Sequence, residues 1–346
     1  MEDWWIYRGA GSTHERLARL RSHIPPWRQF TGSPEREHRP ARTGPAWQET
    51  LRRGQGYIPD DAETDIVNTA LYLRRPLLVT GKPGVGKSTL AFSIAADLGL
   101  GPVLRWPVTS RTSLTDGLYH YDAIGRLHDA NLAALETRST DATRTAHAPR
   151  ETESTAGYVR LGPLGTALVP QEDPRVLLVD EIDKGDIDLP NDLLTVFEEG
   201  AFEVIELARA ARQEPHPRVG TADSPDPTAH VDRGWVRCAA FPIIVLTSNG
   251  ERDFPPAFRR RCIHLQIQPP TRGKLEQIVR NRLEIDPDAQ SDLIEAFLER
   301  RTEGDLATDQ LLNAIQLRLS RVWEGPADAE RLLDAILQHL TGAPEL

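Results

Sequence analysis

Lysine is almost missing from this chain: Lys82, Lys87, Lys184 and Lys274 are the four among 41 basic residues in a sequence of 346. Cysteine is scarcer still. Cys238 and Cys262 stand alone, in no C-x-x-C pair, which argues against a disulfide framework and a structural zinc site and fits a reducing compartment. The ten histidines include no H-x-x-x-H or H-E-x-x-H pair, so metal-dependent hydrolysis without a nucleotide has no ligand set. No apolar run approaches the roughly 18 residues of a membrane span. The opening MEDWWIYRGAG carries early acids and no apolar stretch of signal-peptide length. A cytoplasmic protein without a membrane partner is expected. Positive charge is not in excess either: the net charge of −10 disfavours a chain-wide nucleic-acid surface, so nucleic acid is not an expected partner.

What is present is a soluble globular composition, 39% hydrophobic and 27% charged, with length for about two domains. Within it, LLVTGKPGVGKST (77–89) runs from four apolar residues into a glycine-rich turn that ends in a lysine and two hydroxyls. The pattern is G-x-x-x-x-G-K-[ST], carried by Gly81, Gly86, Lys87 and Ser88. Glycines allow turns in which successive N–H groups point inward as a nest for phosphate oxygens. Lys87 is placed to reach the β- and γ-phosphates and Ser88 to ligate Mg²⁺, while the helix that follows adds its positive dipole end. In a chain so poor in lysine, a lysine here is not background.

Residues 1–55 hold four of the seven tryptophans, Trp4, Trp5, Trp27 and Trp47, among five prolines. STHERLARLRSHI fits one short helix, but the remainder has no repeat able to build its own core. This arm is expected to pack its aromatics elsewhere, either on its own globular domain or on a partner protein. From residue 56 to 268, apolar runs alternate with helical patterns: LLVT (77–80), PVLRWPV (102–108), RVLLVD (175–180), FPIIVLTS (241–248) and CIHLQI (262–267). Such alternation predicts a parallel sheet covered on both faces, an α/β domain. Two segments, 136–157 and 208–234, offer no apolar periodicity and are expected to be mobile loops. From 269 to 346 the sequence is helical throughout, which predicts a second, all-helical domain.

RVLLVDEIDKGDI carries Asp180 and Glu181 to the C-terminal end of a strand, the end that faces the ligand crevice in an open parallel sheet. Asp180 is placed to hold Mg²⁺ and Glu181 to orient and deprotonate a water attacking the γ-phosphate. In IIVLTSNGERDFPPAFRRRCIHL, Asn249 follows a buried strand, where it either bonds the γ-phosphate or the lytic water or forms a turn before Gly250. The run Arg259, Arg260, Arg261 exceeds what a helix terminus requires. It is either a solvated basic turn or a guanidinium offered to a neighbouring subunit's phosphate.

Together the P-loop, VLLVDEID, LTSN, FRRRC and a helical tail resemble the AAA+ ATPases, over about residues 60–346. GPLGTALVP (162–170), LPNDLLTVFEEGAFEVIEL (189–207) and TSNGERDFPPAFRRRC are similar to the MoxR-type branch, especially its CoxD-like members. WWIYRGAG and PPWRQF resemble the start of MoxR-like ATPases encoded beside von Willebrand A domain proteins. The resemblance implies a P-loop αβα sandwich with a five-stranded parallel sheet in the order 5-1-4-3-2, followed by an α-helical lid. It implies inserts in residues 111–168 and a β-hairpin within about 200–240. It also implies that Gly81, Lys82, Pro83, Gly84, Val85, Gly86, Lys87, Ser88 and Thr89 bind the phosphates of ATP, with Mg²⁺ on Ser88 and Asp180. Lys87, Glu181 and Asn249 would be catalytic, with Arg260 or Arg261 the arginine finger in trans. Where the family carries a sensor 2 arginine, this chain has Asp309 and Gln310, so either Arg318 substitutes or the lid senses nucleotide weakly. Thr109 and Ser110 are either strand-end caps or a means of holding Glu181 away from water.

The expected function is Mg-dependent ATP hydrolysis in a homo-oligomeric ring, a hexamer, that remodels or activates a protein client, with a von Willebrand A domain protein as one candidate. The alternative is a nucleotide-gated switch or scaffold with little turnover. A DNA-acting motor is disfavoured by the acidic balance, and a kinase by the lack of an acceptor-substrate domain.

Overall fold

Short runs of branched apolar residues build the centre of the molecule. The computed structural model describes residues 4–9, 14–34, 40–139, 154–223, 228–320 and 335–337. Strands β1 (Leu77–Thr80), β2 (Leu104–Pro107), β3 (Val176–Asp180), β4 (Ile243–Ser248) and β5 (Ile263–Gln266) form one sheet. Every pairing in it is parallel and the order is β5-β1-β4-β3-β2, as expected from the sequence. Side chains alternate across it with a period of two. Leu78, Trp106, Leu177, Val179 and Leu246 face one core, and Leu77, Val79, Leu178 and Val245 face the other. Both faces are covered, which is why these strands read as continuous apolar runs.

The arm at the N-terminus completes the second of these cores. Helix α1 (His14–Ser22) contributes Leu17 and Leu20, and the irregular segment before it contributes Ile6 and Tyr7. After α2 (Pro45–Gly54), helix α3 (Asp61–Leu73) opens with an Asp60–Glu63 capping box. Buried Asn68 on α3 then accepts from the N–H groups of Ile6 and Tyr7 at 2.7 and 2.8 Å and donates to the Tyr7 carbonyl at 2.8 Å. Helix α4 (Lys87–Leu98) supplies Asp97, which pairs with buried Arg16 at 2.8 Å, and Ser93, which meets the Tyr7 hydroxyl at 2.8 Å. The arm thus docks on its own globular domain. Trp5 is buried and bonds Asp65, whereas Trp27 is 72% exposed and packs on nothing comparable.

The expectation that 208–234 is a loop without regular structure needs correction. It holds the end of the helix Ile205–Ala210 and two strands, with 224–227 outside the described residues. Strands Arg218–Gly220 and Thr228–His230 join Tyr119–Tyr121 and Val159–Leu161 in a four-stranded second sheet. Ala201–Glu203 pairs antiparallel with Trp235–Arg237, and Arg218–Gly220 with Thr228–His230, both within the stretch where the resemblance implied a hairpin. Val219, Ala229 and Val231 are buried in the first core, and polar ties add to that packing. Fully buried Arg175, at the base of β3, forms a two-pronged ion pair with Asp223 at 2.6 and 2.8 Å, and Thr166 accepts from the Ala222 N–H at 2.9 Å. Of 136–157, residues up to 139 continue the helix Ala123–Ser139, 140–153 lie outside the described residues, and Thr155–Tyr158 form a single turn.

Beyond β3, helix α5 (Leu189–Glu199) leads into the strand Ala201–Glu203, and α6 (Pro256–Arg261) precedes β5. The chain then forms α7 (Arg272–Leu283), α8 (Ser291–Glu303) and α9 (Thr308–Leu319) around a third core of Leu275, Ile294, Phe297, Leu311 and Ile315. The fourth expected helix, DAERLLDAILQHL, lies almost wholly outside the described residues, although Leu337 is buried in this third core. Among the described residues no helix is long and apolar enough to cross a membrane.

Replacing Asn68 by Ala leaves two buried N–H groups and one carbonyl of the arm without partners, each costing about 1 kcal/mol or more. Asn68→Ala is therefore expected to lower the unfolding free energy by about 3 kcal/mol in urea titration.

Candidate active site

The strand order brings the C-terminal ends of β1, β4 and β3 side by side, and each end carries one part of the site. Residues 81–86 leave β1 with Gly81, Gly84 and Gly86 at φ of 151°, 73° and 100°, conformations that L side chains rarely adopt. A side chain would also collide. A Cβ on Gly81 would lie 2.6 Å from the Ile267 carbonyl oxygen, and one on Gly84 would lie 2.1 Å from the Ala307 Cβ. Lys87, the first residue of α4, folds its ammonium back to donate to the carbonyls of Gly81 and Lys82 at 2.7 and 2.9 Å and to Asn249 Oδ1 at 2.7 Å. Burial lowers the Lys87 pKa, opposed by the neighbouring carboxylates of Asp183, Asp180 and Glu181.

Asp180, the last residue of β3, accepts at Oδ1 from two hydroxyls, Ser88 on α4 and Thr247 on β4, both at 2.7 Å. Thr247 in turn accepts from the Glu181 N–H at 2.9 Å. Glu181 has left-handed backbone at φ 60° and ψ 50°, a conformation costing a non-glycine residue about 1 kcal/mol. Its side chain is 45% exposed and pairs with Lys184 at 2.9 Å, a bond that raises the Lys184 pKa. Asp183 accepts from the N–H groups of Asn249 and Glu251 at 2.9 and 3.2 Å and so fixes the turn after β4. Thr247 and Asp183 escaped the sequence reading, although both stand inside motifs that it isolated.

Beside the turn lies a cavity of about 320 Å³, lined by Tyr57, Val85 and Thr89 on one side and by Lys274, Thr308 and Asp309 of the helical tail on the other. The tail is clipped over it. Lys82 pairs with Asp305 at 2.5 Å, the Thr308 N–H reaches the Gly84 carbonyl at 3.4 Å, and Lys274 meets Glu63 at 3.0 Å. Glu63 also accepts from the Tyr57 hydroxyl at 2.9 Å. Every lysine in the chain therefore borders this site. Tyr57 and Lys274 carried no motif and were missed.

The turn, Asp180, Glu181 and Asn249 come together as expected, whereas the arginines do not join them. Arg260 offers its carbonyl to Arg75, next to the start of β1, and the Ile263 N–H bonds Pro76 there. The run thus sits at the opposite end of β1 from the P-loop, a strand length of about 13 Å away. Arg259 and Arg260 are exposed, and Arg261 is held by Glu198 at 2.5 Å. Two alternatives that the sequence left open are narrowed by the contacts. Thr109 bonds Thr112, not Glu181, whose partner is Lys184. Arg318 is bound by both oxygens of Asp292 at 2.7 Å within the helical tail, so it does not stand in at the cavity, whereas Asp309 does line it. Gln310 bonds the Ala307 N–H and the Ile336 carbonyl and serves the helix start.

A glycine cradle that tolerates no Cβ, a lysine folded over it and a hydroxyl–carboxylate pair fit the phosphates and Mg²⁺ of a nucleotide. Among the described residues no group of three or more His, Cys, Asp or Glu could hold a metal, so Ser88, Asp180 and phosphate oxygens would share the ion. Fold and site define a P-loop nucleotide-binding domain capped by a helical lid. The model of the AAA domain (dynein-related subfamily) matches residues 76–262, more than half of the chain, and the chain belongs to this family of ATP-binding AAA+ ATPases. No curated protein matches it.

Gly84→Ala is expected to weaken binding of a fluorescent ATP analogue at least about tenfold, because the strained turn and the Ala307 contact both oppose a methyl group. Gly273→Ala, which meets open space, should leave the titration unchanged.

Proposed function

We propose that this protein hydrolyses ATP with Mg²⁺ in a homo-oligomeric ring, a hexamer, as a MoxR-like AAA+ ATPase that remodels or activates a protein client. A client with a von Willebrand A domain suits the resemblance of the arm. The observation that carries the reading is Glu181: an exposed carboxylate beside the Ser88–Asp180 pair, on backbone registered by Thr247. From there it would orient and deprotonate a water, while Lys87 and Asn249 hold the γ-phosphate. Bound Mg²⁺ would neutralise charge between the β- and γ-phosphates.

Assembly is supported by the position of the arginines. A run at the far end of β1 has no route to its own P-loop, yet Arg260 is exposed and its guanidinium makes no ion pair among the described residues. Arg260 thus suits a finger offered in trans better than Arg261, which Glu198 holds. A low-turnover switch is the second reading. It is favoured by Asp309, which puts a carboxylate on the lid side of the cavity, and by Lys184, which engages Glu181.

Glu181→Gln should lower steady-state ATPase by about 10² or more while nucleotide binding persists. Arg260→Ala should lower turnover by about 10³ and poison mixtures with wild type more than in proportion, whereas Arg261→Ala should do neither. Negligible wild-type turnover at every protein concentration, with client present, would sink the hydrolytic reading and leave the switch.

A further inference from the structure

At the end of the sheet away from the P-loop, the arm and the globular domain enclose a second cavity of about 340 Å³. Its charged lining comes from three separate stretches of sequence: Arg21 and Arg28 of the arm, Arg74 after α3, and Glu172 before β3. Ile24, Pro34, Pro174 and Phe241 give it apolar walls.

The cations are unequally compensated. Arg21 is satisfied by Asp173 through two bonds of 2.7 and 2.9 Å. Arg28 is buried, donates to the carbonyls of Arg74 and Phe197, and lies over the Phe241 ring at 4.3 Å. Its nearest carboxylate, Glu198, is 3.9 Å away and already holds Arg261 at 2.5 Å. Arg74 is only 7% exposed, donates from Nη2 to the Leu20 carbonyl, and forms no ion pair among the described residues. Among the described residues its Nε and Nη1 have no acceptor, and neither has Nε2 of Gln171, which is 5% exposed and lines the same cavity. A buried guanidinium without a counter-ion and three buried N–H-bearing nitrogens without acceptors are costly arrangements that folded proteins rarely keep. Burial also pushes the Arg74 pKa down to about 10.

We propose that this cavity binds an organic monoanion, a carboxylate carried on a compact apolar body, with Arg28, Arg74 and Gln171 as its floor. The charge balance selects a single negative charge. Arg74 is one uncompensated cation, and a dianion would meet Glu172 in the lining. The walls select the apolar body, and the volume, at the lower end of small-molecule pockets, selects a small one. Because the floor is made by arm residues meeting the core, occupancy also ties the arm down. The site is independent of the nucleotide, so its fate is separable from that of the ATPase reading.

Benzoate titrated into the full chain at constant ionic strength tests this, with heat of binding and melting temperature as readouts. A saturable response with a Kd of about 1 mM is expected, as suits so small a ligand, and uncharged benzyl alcohol, which carries the same ring, should give none. Arg74→Met should weaken benzoate binding at least about tenfold through loss of the charged donor. Because that variant also loses the bond to Leu20, Ile24→Glu provides a second test. Ile24 is 43% exposed at the cavity and tolerates a polar side chain, and its new carboxylate should abolish the response by competing from within. No saturable response, an equal response to benzyl alcohol, or an unaltered benzoate titration in Ile24→Glu would each overturn the proposal.

Discussion

One carboxylate oxygen holds the site in register. Asp180 Oδ1 accepts from Ser88 on the helix after the P-loop and from Thr247 on the neighbouring strand, and Thr247 then fixes the backbone of Glu181. The order of the strands sets these contacts, with β4 beside both β1 and β3. A sheet with the strands in chain order would part β1 from β4 and so separate Lys87 from Asn249. The crossovers that set the order also bury both faces, so the apolar alternation within each strand and the polar convergence at the strand ends are one arrangement.

Where arginine supplies almost all the positive charge, the four lysines mark the places that need a compact, flexible ammonium. Lys87 curls over the cradle, Lys184 meets Glu181, Lys82 reaches Asp305 and Lys274 reaches Glu63. Two of these pairs join the lid to the rest. Lys82 stands 58% exposed at its side chain, and surface ion pairs contribute about 1 kcal/mol or less, so the lid is clipped rather than locked. Gly84 and Ala307 add the steric part: their close approach fixes where the lid rests, and it leaves a cavity rather than a packed interface beside them.

The sequence made the sheet legible because LLVT, VLLVD and IIVLTS are long enough to show a period and end in turn chemistry. It made the acids and the P-loop legible because their residue types are spaced by the chemistry. The second sheet was illegible for the opposite reason: its strands are three residues long, and Arg218–Gly220 finds its partners about 60 and 10 residues away in the chain. The insert is held by burial of Val219, Ala229 and Val231 and by the ion pair between Arg175 and Asp223, and a long-range pair leaves no local trace. Thr247 and Asp183 were hidden differently. Each looks like ordinary strand or turn chemistry until the fold shows what its oxygen accepts or donates.

The arm shows how a segment with no core of its own becomes part of one. Ile6, Tyr7, Leu17 and Leu20 complete the apolar cluster under β1 and β4, while Asn68 and the Arg16–Asp97 pair satisfy the polar groups that burial would strand. Aromatic content did not decide which residues dock, since Trp5 is buried and Trp27 is not; partners on α3 and α4 did. Docking in turn forms the floor at the other end of the sheet, where Arg28 is held by carbonyls and a ring rather than by an acid. Charge is therefore divided along the strands. Carboxylates gather at the C-terminal ends, where lysines answer them, and guanidiniums gather at the N-terminal ends. There Arg74, Arg259 and Arg260 have no carboxylate among the described residues, although the chain carries ten excess negative charges. Acids were abundant enough to neutralise them. Under the two proposals this end of the molecule is completed from outside the chain, by an anion for the buried cation and, independently, by a neighbour's phosphate for the exposed ones.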